Sequence, residues 1–458
     1  MKTMKKRCLR IAGLMTALAI VLTALLFAPA GAETLQDCHK VTSSYKDTKG
    51  KNKTVVRLWK VETAHEKVTQ EINGIAETFA EELGSDLPTA KNTGDGNSRL
   101  DVEIRYSRTG LTWMSFMVQA RTIFHRGLTD QQIATRTYDM TTGSRITLDL
   151  IFDEDSKAWD FMAARVREVL SGYWPEEEPD EAALKKLCTQ EALSKADFTL
   201  HGMSLVLHYP ASVLYEGKQT LMEVPFYYPE IRDMMTEKAW EETDNLTYYR
   251  TVALTFDDGP RNPKSAQVLD ALMEKGIRAT FFCIGNQVKK SYYIVQREHD
   301  NGHAVASHNW THDNVNSLSG TTLKAMPEKV NKVMNEVIGI PVRYDRAPGG
   351  LYPKMVKAGV EWPLIQWSLD TYDWRGRTPN QVLSSVKKKI DDGDIILCHD
   401  IKEYAPQNTR KIVDYLEEQG YLFLTVDELF AKDGVALENG QVYYRCNNGD
   451  TTKKPGGT

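Results

Sequence analysis

The sequence has few cysteines, no visible internal repeat or low-complexity block, and only one long apolar run. Its 458 residues include six cysteines, and none of them stands in a CxxC pair or in the Cys/His spacing of a zinc finger. This excludes a disulfide-stapled scaffold, and the odd number of cysteines after Cys8 leaves at least one free thiol. Cys283 and Cys398 lie inside apolar, strand-like segments, which predicts that both are buried in a core.

An excess of positive charge is also absent. There are 57 Lys and Arg against 62 Asp and Glu, and five of the basic residues fall in the first ten positions. A nucleic-acid partner requires basic patches that neutralise phosphates, so this balance argues against one and fits a neutral or mixed-charge substrate. The hydrophobic fraction of 41% and the charged fraction of 26% are ordinary for globular proteins, and the length suffices for two or three domains.

The one long apolar run, residues 11–28, follows a basic N-terminus. Ala30, Gly31 and Ala32 then form a small-x-small cleavage pattern. This predicts a secretory signal over residues 1–32, and the run is also long enough for an uncleaved signal anchor. Both interpretations export the rest of the chain, either secreted or held at the extracellular face of the membrane through the anchor alone.

The remainder divides into two regions of different pattern. Residues 54–230 mix alternating strand candidates with helical stretches, which predicts a smaller α+β domain preceded by a loose polar segment, residues 33–53. From residue 249 to residue 430, apolar strand-like runs alternate with helical stretches, which predicts a parallel sheet, open or closed into a barrel. Residues 431–458 are expected to form a terminal hairpin, turning at Asn439 and Gly440, and a disordered tail.

Ionisable residues concentrate at the ends of the strands predicted in the second region. Asp257 and Asp258 end the first strand, and His308 and His312 follow the third. An Asp-Gly-Pro turn and two unrelated histidines would explain each pair separately. Together, however, two histidines on one face of a helical turn and one aspartate can hold a metal ion with open positions for water and substrate.

Three further strand ends carry ionisable groups, namely Arg346, Asp370 and His399. The carboxyl ends of parallel strands meet at one end of the sheet, where such folds carry their chemistry. A passive scaffold would not require five strand ends with ionisable residues. The pattern therefore predicts a catalytic site.

In their order and spacing these segments resemble the NodB-homology polysaccharide deacetylases, carbohydrate esterase family 4. Residues 249–430 carry the resemblance, and all five family motifs can be placed there. The motifs lie at residues 255–260, 308–312, 346–350, 370–374 and 397–400. The resemblance implies an α/β fold, a distorted (β/α)7-type barrel, and a hydrolase of amide bonds other than peptide bonds.

The same resemblance implies the roles of the site residues. Asp258, His308 and His312 would bind a divalent metal, zinc above all and cobalt as an alternative. Asp257 would be the catalytic base and His399 the catalytic acid.

Two further residues would support these groups. Arg346 would hold the base Asp257, and Asp370 would hold and tune the acid His399. Trp374 would line the sugar groove and Leu397 would border the acetyl pocket. A backbone N–H near Pro348 and Gly349 would stabilise the oxyanion.

Two positions depart from the family pattern. The residue after the first metal-binding histidine is normally Ser or Thr, and here it is Asn309. The residue after the proline of the third motif is normally aromatic, and here Gly349 and Gly350 follow. Neither departure removes a metal ligand or a proton-transfer group, so activity is still expected.

Residues 54–230 resemble, through fewer residues, the extracellular domains of RsiV-like proteins and of certain deacetylases. The resemblance rests on residues 138–143, 146–152 and 198–226 and implies contact with an envelope protein or glycan. His125 and His201 stand alone in this region and are interpreted as structural.

The residues bear on three classes of function. The leading hypothesis is N-deacetylation of cell-wall glycan, at N-acetylglucosamine or N-acetylmuramic acid units, with chitooligosaccharide or acetylxylan as alternative substrates. A binding or sensor protein with an inactive barrel would have lost a ligand or a proton-transfer group, and none is lost. A glycosidase that uses two carboxylates would not need the histidine pair.

Overall fold

The computed structural model describes residues 41–49, 55–85, 99–124, 127–153 and 157–452. The predicted signal over residues 1–32 therefore lies outside the described residues, as do Cys8, Cys38 and His125. Within the described ranges, no helix is both long and apolar enough to cross a bilayer.

The N-terminal region contains a six-stranded sheet in the order β1-β2-β3-β4-β5-β6. The pair β2 and β3 is parallel, and the other neighbours are antiparallel. The strands are β1 (Thr42–Lys49), β2 (Val55–Glu62), β3 (Arg99–Thr109), β4 (Trp113–Phe124), β5 (Gly127–Asp139) and β6 (Ser144–Ile146). Helix α1, Glu66–Ser85, covers one face and buries Val68, Ile72 and Ala76, whose spacing of four places them on one side of the helix.

Strand β1 corrects the expectation that residues 33–53 are loose. Its eight residues pair with β2 along their whole length. The segment is polar, and hydrophobic alternation therefore could not reveal it. An edge strand needs apolar residues least, because its backbone bonds only one neighbour.

A three-stranded antiparallel sheet completes the predicted α+β region. Its strands are β7 (Phe198–Leu200), β8 (Ser204–Pro210) and β9 (Leu221–Tyr227). The surrounding helices are α2 (Leu148–Ile151), α3 (Ala158–Ser171), α4 (Glu181–Leu187), α5 (Gln190–Ser194), α6 (Tyr228–Ile231) and α7 (Glu237–Thr243). Residues 181–194 form two helices, because Thr189 starts the second one by accepting a hydrogen bond from the Ala192 amide.

The C-terminal region is built on a parallel sheet in the order β12-β11-β10-β15-β14, with β16 beside the start of β10. Single bridges from Ser307 to Asp345 and from Asp345 to Leu364 continue it, so the sheet curls round as a distorted barrel. The strands are β10 (Arg250–Asp257), β11 (Thr280–Cys283), β12 (Ala304–Ser307), β13 (Leu364–Ile365), β14 (Leu369–Asp370), β15 (Asp394–His399), β16 (Tyr421–Phe423) and β17 (Val442–Tyr443). The prediction of a barrel is confirmed.

Helices cover the outside of this barrel. They are α8 (Lys264–Lys275), α9 (Gly285–Val288), α10 (Tyr292–Asp300), α11 (Gly320–Lys324), α12 (Met326–Ile338), α13 (Pro353–Ala358), α14 (Pro379–Lys389), α15 (Ala405–Glu418) and α16 (Val426–Ala431). Cys283 and Cys398 lie in the core between helices and sheet, as predicted. Both thiols are free.

The terminal hairpin was a wrong prediction. The turn at Asn439 and Gly440 exists, since the Gln441 amide donates to the Glu438 carbonyl. The residues after it, however, form β17 parallel to β13 rather than antiparallel to their own neighbours. Residues 447–452 of the expected tail form a turn closed by a bridge between Asn447 and Asp450, and residues 453–458 lie outside the described ranges.

Candidate active site

The register of the sheet places Asp257 and His399 side by side. Strands β10 and β15 are parallel, and these two residues are direct partners at their carboxyl ends. Residues alternate between the two faces of a strand. Phe256 therefore enters the core under the helices, while Asp257 lies on the interior face of the barrel.

Asp258, His308 and His312, the three residues expected to bind metal, lie together in a cluster that could hold an ion. Each offers one ligand atom, and these atoms all lie within 4.8 Å of one another. Asp258 Oδ1 is 3.5 Å from His308 Nε2 and 3.3 Å from His312 Nε2. It is buried and has no hydrogen-bond partner among the described residues, so a cation would satisfy it.

Hydrogen bonds and charges set the orientation of His308 and favour the ionised form of Asp258. His308 Nδ1 is 2.7 Å from the Arg346 carbonyl oxygen, which leaves Nε2 for a metal. Burial opposes ionisation of Asp258, but contact with His308 and the charges of His399 and His312 hold the pKa of this carboxyl below its usual range. A carboxylate and two imidazoles are ligands that Zn²⁺ and similar divalent ions accept.

The Asp257 carboxylate is held by Arg346, as the resemblance implied. Arg346 Nη1 donates to Asp257 Oδ1 at 2.7 Å and to the Thr255 hydroxyl at 2.8 Å. The guanidinium is fully buried, donates also to two backbone carbonyls, and lies 3.8 Å from the Phe282 ring centroid. Asp257 Oδ2 is 3.8 Å from His308 Nε2, so the second oxygen faces the metal cluster.

His399 is held by Asp373, not by Asp370. Asp373 Oδ1 is 2.8 Å from His399 Nδ1, and Asp373 Oδ2 accepts from the His399 amide at 2.8 Å. Burial lowers the pKa of His399, but the hydrogen bond to Asp373 and the charges of Asp373 and Asp257 more than offset this, and the pKa is raised. His399 Nε2 is left for a proton transfer.

Asp370 instead shapes the loop that carries Asp373. Its carboxylate accepts from the Tyr372 amide at 2.7 Å and from Trp374 Nε1 at 3.3 Å. Tyr372 takes a left-handed conformation, with a φ of 57°, and the chain turns back so that Asp373 reaches His399. The contact with His399 that the resemblance implied for Asp370 is therefore made by Asp373.

The substrate-side residues surround this centre in different ways. The Trp374 side chain is 46% exposed, as a groove residue requires. Leu397 is buried on the strand face that it shares with His399, two residues on. Pro348 is buried. The Gly350 amide donates to the Ala347 carbonyl, whereas the Gly349 amide has no such partner among the described residues.

Asn309 supports the site through a neighbour. Its backbone amide donates to Asp345 Oδ1 at 3.0 Å, and its side-chain Nδ2 donates to Asp345 Oδ2 at 3.2 Å. Asp345 is buried, and burial raises its pKa to about 6. It precedes Arg346, whose carbonyl orients His308. The departure at Asn309 is therefore accommodated by hydrogen bonds to Asp345.

Three residues near the centre were not singled out from the sequence. Asp373 lies within the quoted fourth motif, and its spacing of three from Asp370 was the only signal. Lys402 Nζ lies 3.7 Å from Asp258 Oδ2, and nothing in the sequence indicated it. Asp400 is buried beside Ser265, whose hydroxyl donates to it, and burial raises its pKa to about 7.

The chain is similar to several known proteins. The family model "Polysaccharide deacetylase" matches residues 245–362. A peptidoglycan-N-acetylglucosamine deacetylase of Bacillus cereus is 31% identical over 209 residues, which are 43% of this chain and 98% of the relative. The peptidoglycan-N-acetylglucosamine deacetylase PgdA of Listeria monocytogenes is 28% identical over 308 residues, 67% of this chain and 66% of the relative.

The match to the Listeria protein covers more of the chain than residues 249–458 can supply, so it extends into the N-terminal region. Among solved structures, a family 4 acetyl xylan esterase from Clostridium thermocellum in complex with a cobalt ion is 30% identical. That match covers 43% of this chain and 98% of the other, with a TM-score of 0.41.

Proposed function

Since the chain belongs to the polysaccharide deacetylase family, carbohydrate esterase family 4, we propose that it is a metal-dependent hydrolase that removes acetyl groups from N-acetylated sugars of cell-wall glycan. One observation carries the proposal. The Asp258–His308–His312 cluster adjoins an aspartate held by arginine on one side and a histidine held by aspartate on the other. These are the parts that amide hydrolysis needs.

A divalent cation bound to this cluster would supply Lewis-acid polarisation of the acetyl carbonyl and lower the pKa of a coordinated water. Asp257 Oδ2 faces the cluster and accepts a proton from the attacking water. Arg346 fixes the other oxygen of Asp257 through a hydrogen bond. The Gly349 amide, which has no backbone hydrogen-bond partner among the described residues, would donate to the acetyl oxygen as it gains negative charge.

His399 supplies the second proton transfer. The new C–O bond forms with the water oxygen, and the C–N bond breaks. An amine leaves poorly without a proton, and protonated His399 donates one from Nε2. Asp373 stabilises the imidazolium before this step and orients the ring. The products are acetate and a free amino sugar.

The substrate proposed is peptidoglycan, at N-acetylglucosamine or N-acetylmuramic acid units. Two relatives named above are peptidoglycan-N-acetylglucosamine deacetylases, and one of them shares part of the N-terminal region. An envelope location suits this substrate and agrees with the predicted export signal. We propose zinc as the metal, with cobalt as a substitute.

Acetate release tests the proposal. The chain without its predicted signal, residues 33–458, is stripped of metal, given zinc or cobalt, and incubated with peptidoglycan, N-acetylglucosamine oligomers or acetylxylan. Metal-dependent acetate from peptidoglycan is expected. Preference for either other polymer would replace the substrate, and no acetate from any of them, with metal bound, would contradict the enzymatic proposal in favour of a binding or sensor protein.

Two substitutions separate metal binding from proton transfer. Asp257→Asn should abolish turnover and leave the metal bound, because Asp257 does not belong to the ligand cluster. His308→Ala should lose both, because it removes a ligand. Metal content measured beside acetate release distinguishes the two outcomes, and near-normal turnover in Asp257→Asn would contradict the assignment of the base.

A further inference from the structure

A cavity lies at the end of the barrel opposite Asp257 and His399. Its volume is about 670 Å³, within the range of small-molecule sites. The barrel contributes the residues that precede β11 and β12 together with strand β16, and the N-terminal region contributes residues of β3, β4 and the three-stranded sheet. The cavity thus lies where the two regions meet, a common position for ligand sites.

Direct bonds between the two regions fix the walls of this cavity. On one side the Tyr106 hydroxyl donates to the Glu274 carbonyl at 2.8 Å, and Arg108 pairs with Glu417 at 2.7 Å. On another, the Ser204 hydroxyl donates to Glu428 at 2.9 Å. Because these bonds hold both sides in place, the cavity is preformed rather than a gap between moving parts.

The half-buried charges in the lining have partners of opposite sign, and its other two carboxylates, Asp414 and Glu418, are exposed. Arg108 pairs with Glu417, and Arg278 pairs with Glu428. Glu223 lies 3.4 Å from His208 Nδ1 and interacts with the positive charge of Arg105. A strongly charged ligand therefore finds no unpaired half-buried charge inside the cavity, and an uncharged ligand fits better.

The remaining lining groups suit a ligand with many hydroxyl and amide groups. The lining contains both hydrogen-bonding side chains and aromatic rings. Burial holds the pKa of His303 at about 3 and that of His201 well below its usual value, so both imidazoles are neutral donors and acceptors. The rings are those of Tyr106, Tyr249, Tyr421 and Phe423.

We propose that this cavity is a second, non-catalytic binding site for a short, uncharged oligosaccharide of N-acetylated sugars. The choice of sugar rests on the proposed function, whereas the neutral, hydroxyl-rich chemistry rests on the lining alone. Such a site would hold a glycan at the end of the barrel away from the catalytic residues.

Calorimetric titration with chitotriose tests the site. The protein is the 33–458 chain carrying Asp257→Asn, which prevents turnover. Two binding events are expected. Adding Ile277→Trp, which places an indole where Ile277 lines the cavity, should remove one of them, with at least a tenfold loss of affinity. Val356→Trp is the matched control, because it adds the same group at a position that is 42% exposed and outside the lining.

A second measurement does not require the Ile277→Trp variant to fold. Chitotriose should slow hydrogen exchange of the backbone amides in β3 and β16 of the Asp257→Asn chain. A single binding event that Ile277→Trp leaves unchanged, without protection of β3 and β16, would overturn the inference. Acetate release is measured separately, so an active enzyme with one sugar site contradicts only this inference, whereas an inactive one with two contradicts only the proposed function.

Discussion

Four aspartates lie within the site, and each has a different partner. Asp257 is bound to a guanidinium, Asp258 faces two imidazoles, Asp373 holds a third imidazole and Asp370 accepts from an amide and an indole. The partner decides whether a carboxylate takes a proton, binds metal or orients a neighbour. Identical side chains therefore have separate functions.

Replacing Asp373 tests the acid. Asp373→Asn removes the charge that raises the pKa of His399, so His399 loses its proton at lower pH than in the native enzyme. We expect the alkaline limb of the profile of kcat/KM against pH to move to lower pH, and kcat to fall about 100-fold. Acetate release measured across pH checks both.

Asp370→Asn is the matched control for that substitution. It keeps the shape of the loop residue and leaves the bonds between Asp373 and His399 in place. The pH profile should stay near that of the native enzyme. A shift in Asp370→Asn with none in Asp373→Asn would restore the assignment made from the sequence.

Lys402 should weaken metal binding. Its ammonium lies 3.7 Å from Asp258 Oδ2, where a positive charge repels a divalent cation on the same carboxylate. Lys402→Met should raise zinc affinity about three- to tenfold, measured by competition with a chromogenic chelator. Lys402→Arg keeps the charge and should bind zinc like the native chain. Equal affinity in all three proteins would show that Lys402 does not act on the metal.

The position of most candidate site residues could be predicted, because these residues occur in short motifs. Asp257, Asp258, His308, His312, Arg346 and His399 all lie where the residues and the resemblance placed them. Asp370 and Asp373 could not be separated, because their difference depends on the φ of 57° at Tyr372. Lys402 was missed because its contact depends on how the loop after β15 folds back.

Among the elements, α8 shows how one glycine can serve two purposes. Gly276 ends the helix with a φ of 64°, which glycine adopts without strain. A Cβ at this position would also lie 2.2 Å from Tyr106 Cε2 of the N-terminal region. The end of a barrel helix is therefore also a contact surface for the other region.

Two alanine substitutions separate these purposes. Gly434 has a φ of 63°, and a Cβ there would have no neighbour within 4 Å. Gly434→Ala should cost only the left-handed conformation, about 1–2 kcal/mol. Gly276→Ala should cost clearly more, because Tyr106 must also move. Urea denaturation of both proteins measures the difference, and equal losses would mean that the Tyr106 contact yields freely.

Elements with strong local signals in the sequence could be predicted, and elements with weak local signals could not. Helix α8 ends at Gly276, a signal that the sequence itself contains. Residues 342–346 contribute only a bridge at Asp345, and residues 364–369 contain two strands of two residues each. Apolar runs indicate burial, but only neighbouring strands decide where a ladder continues.

At the scale of the whole molecule, buried ion pairs join the N-terminal region to the barrel. Glu103 of β3 is 2% exposed and pairs with Arg297 of α10 at 2.7 Å. Arg297 also pairs with Asp270, and Arg121 pairs with Glu103. The Leu221 amide donates to Asp300 at 2.9 Å. The Glu103–Arg297 pair therefore neutralises a buried charge of each region with a group from the other.

Glu103→Gln should therefore destabilise the whole chain. It leaves Arg297 and Arg121 buried with one carboxylate fewer, a change that costs about 3–5 kcal/mol in comparable buried pairs. We expect a single unfolding transition in urea with a lower midpoint, seen by both fluorescence and circular dichroism. Lys195→Gln, in an exposed pair with Glu191, is the control and should change stability by less than about 0.5 kcal/mol.

Acid should release the same contact. Burial opposes ionisation of Glu103, but the charges of Arg121 and Arg297 lower its pKa to about 2. A carboxyl whose pKa is lowered in the folded state stabilises the fold above its unfolded pKa, and this stability is lost as pH falls towards 2. The native chain should lose more stability than Glu103→Gln between pH 5 and about pH 2. Parallel losses in the two proteins would contradict the role of Glu103.

The division into two regions could be predicted from the change in pattern near residue 249, but their contact could not. Asn245, which lies between the two predicted regions, bonds to Gly110 and Gly202. Contacts between residues that lie far apart in the sequence leave no local signal. The change in pattern therefore predicted two regions without showing that they are joined.

This junction limits how the chain can recombine. Some buried polar groups of one half are matched by specific residues of the other, as Glu103 is by Arg297, so exchanging the N-terminal half with that of a relative would bring in groups without their counterparts. Arg297, Asp300 and Glu428 would have to change in the same event. The two halves are therefore expected to be inherited together rather than to recombine independently.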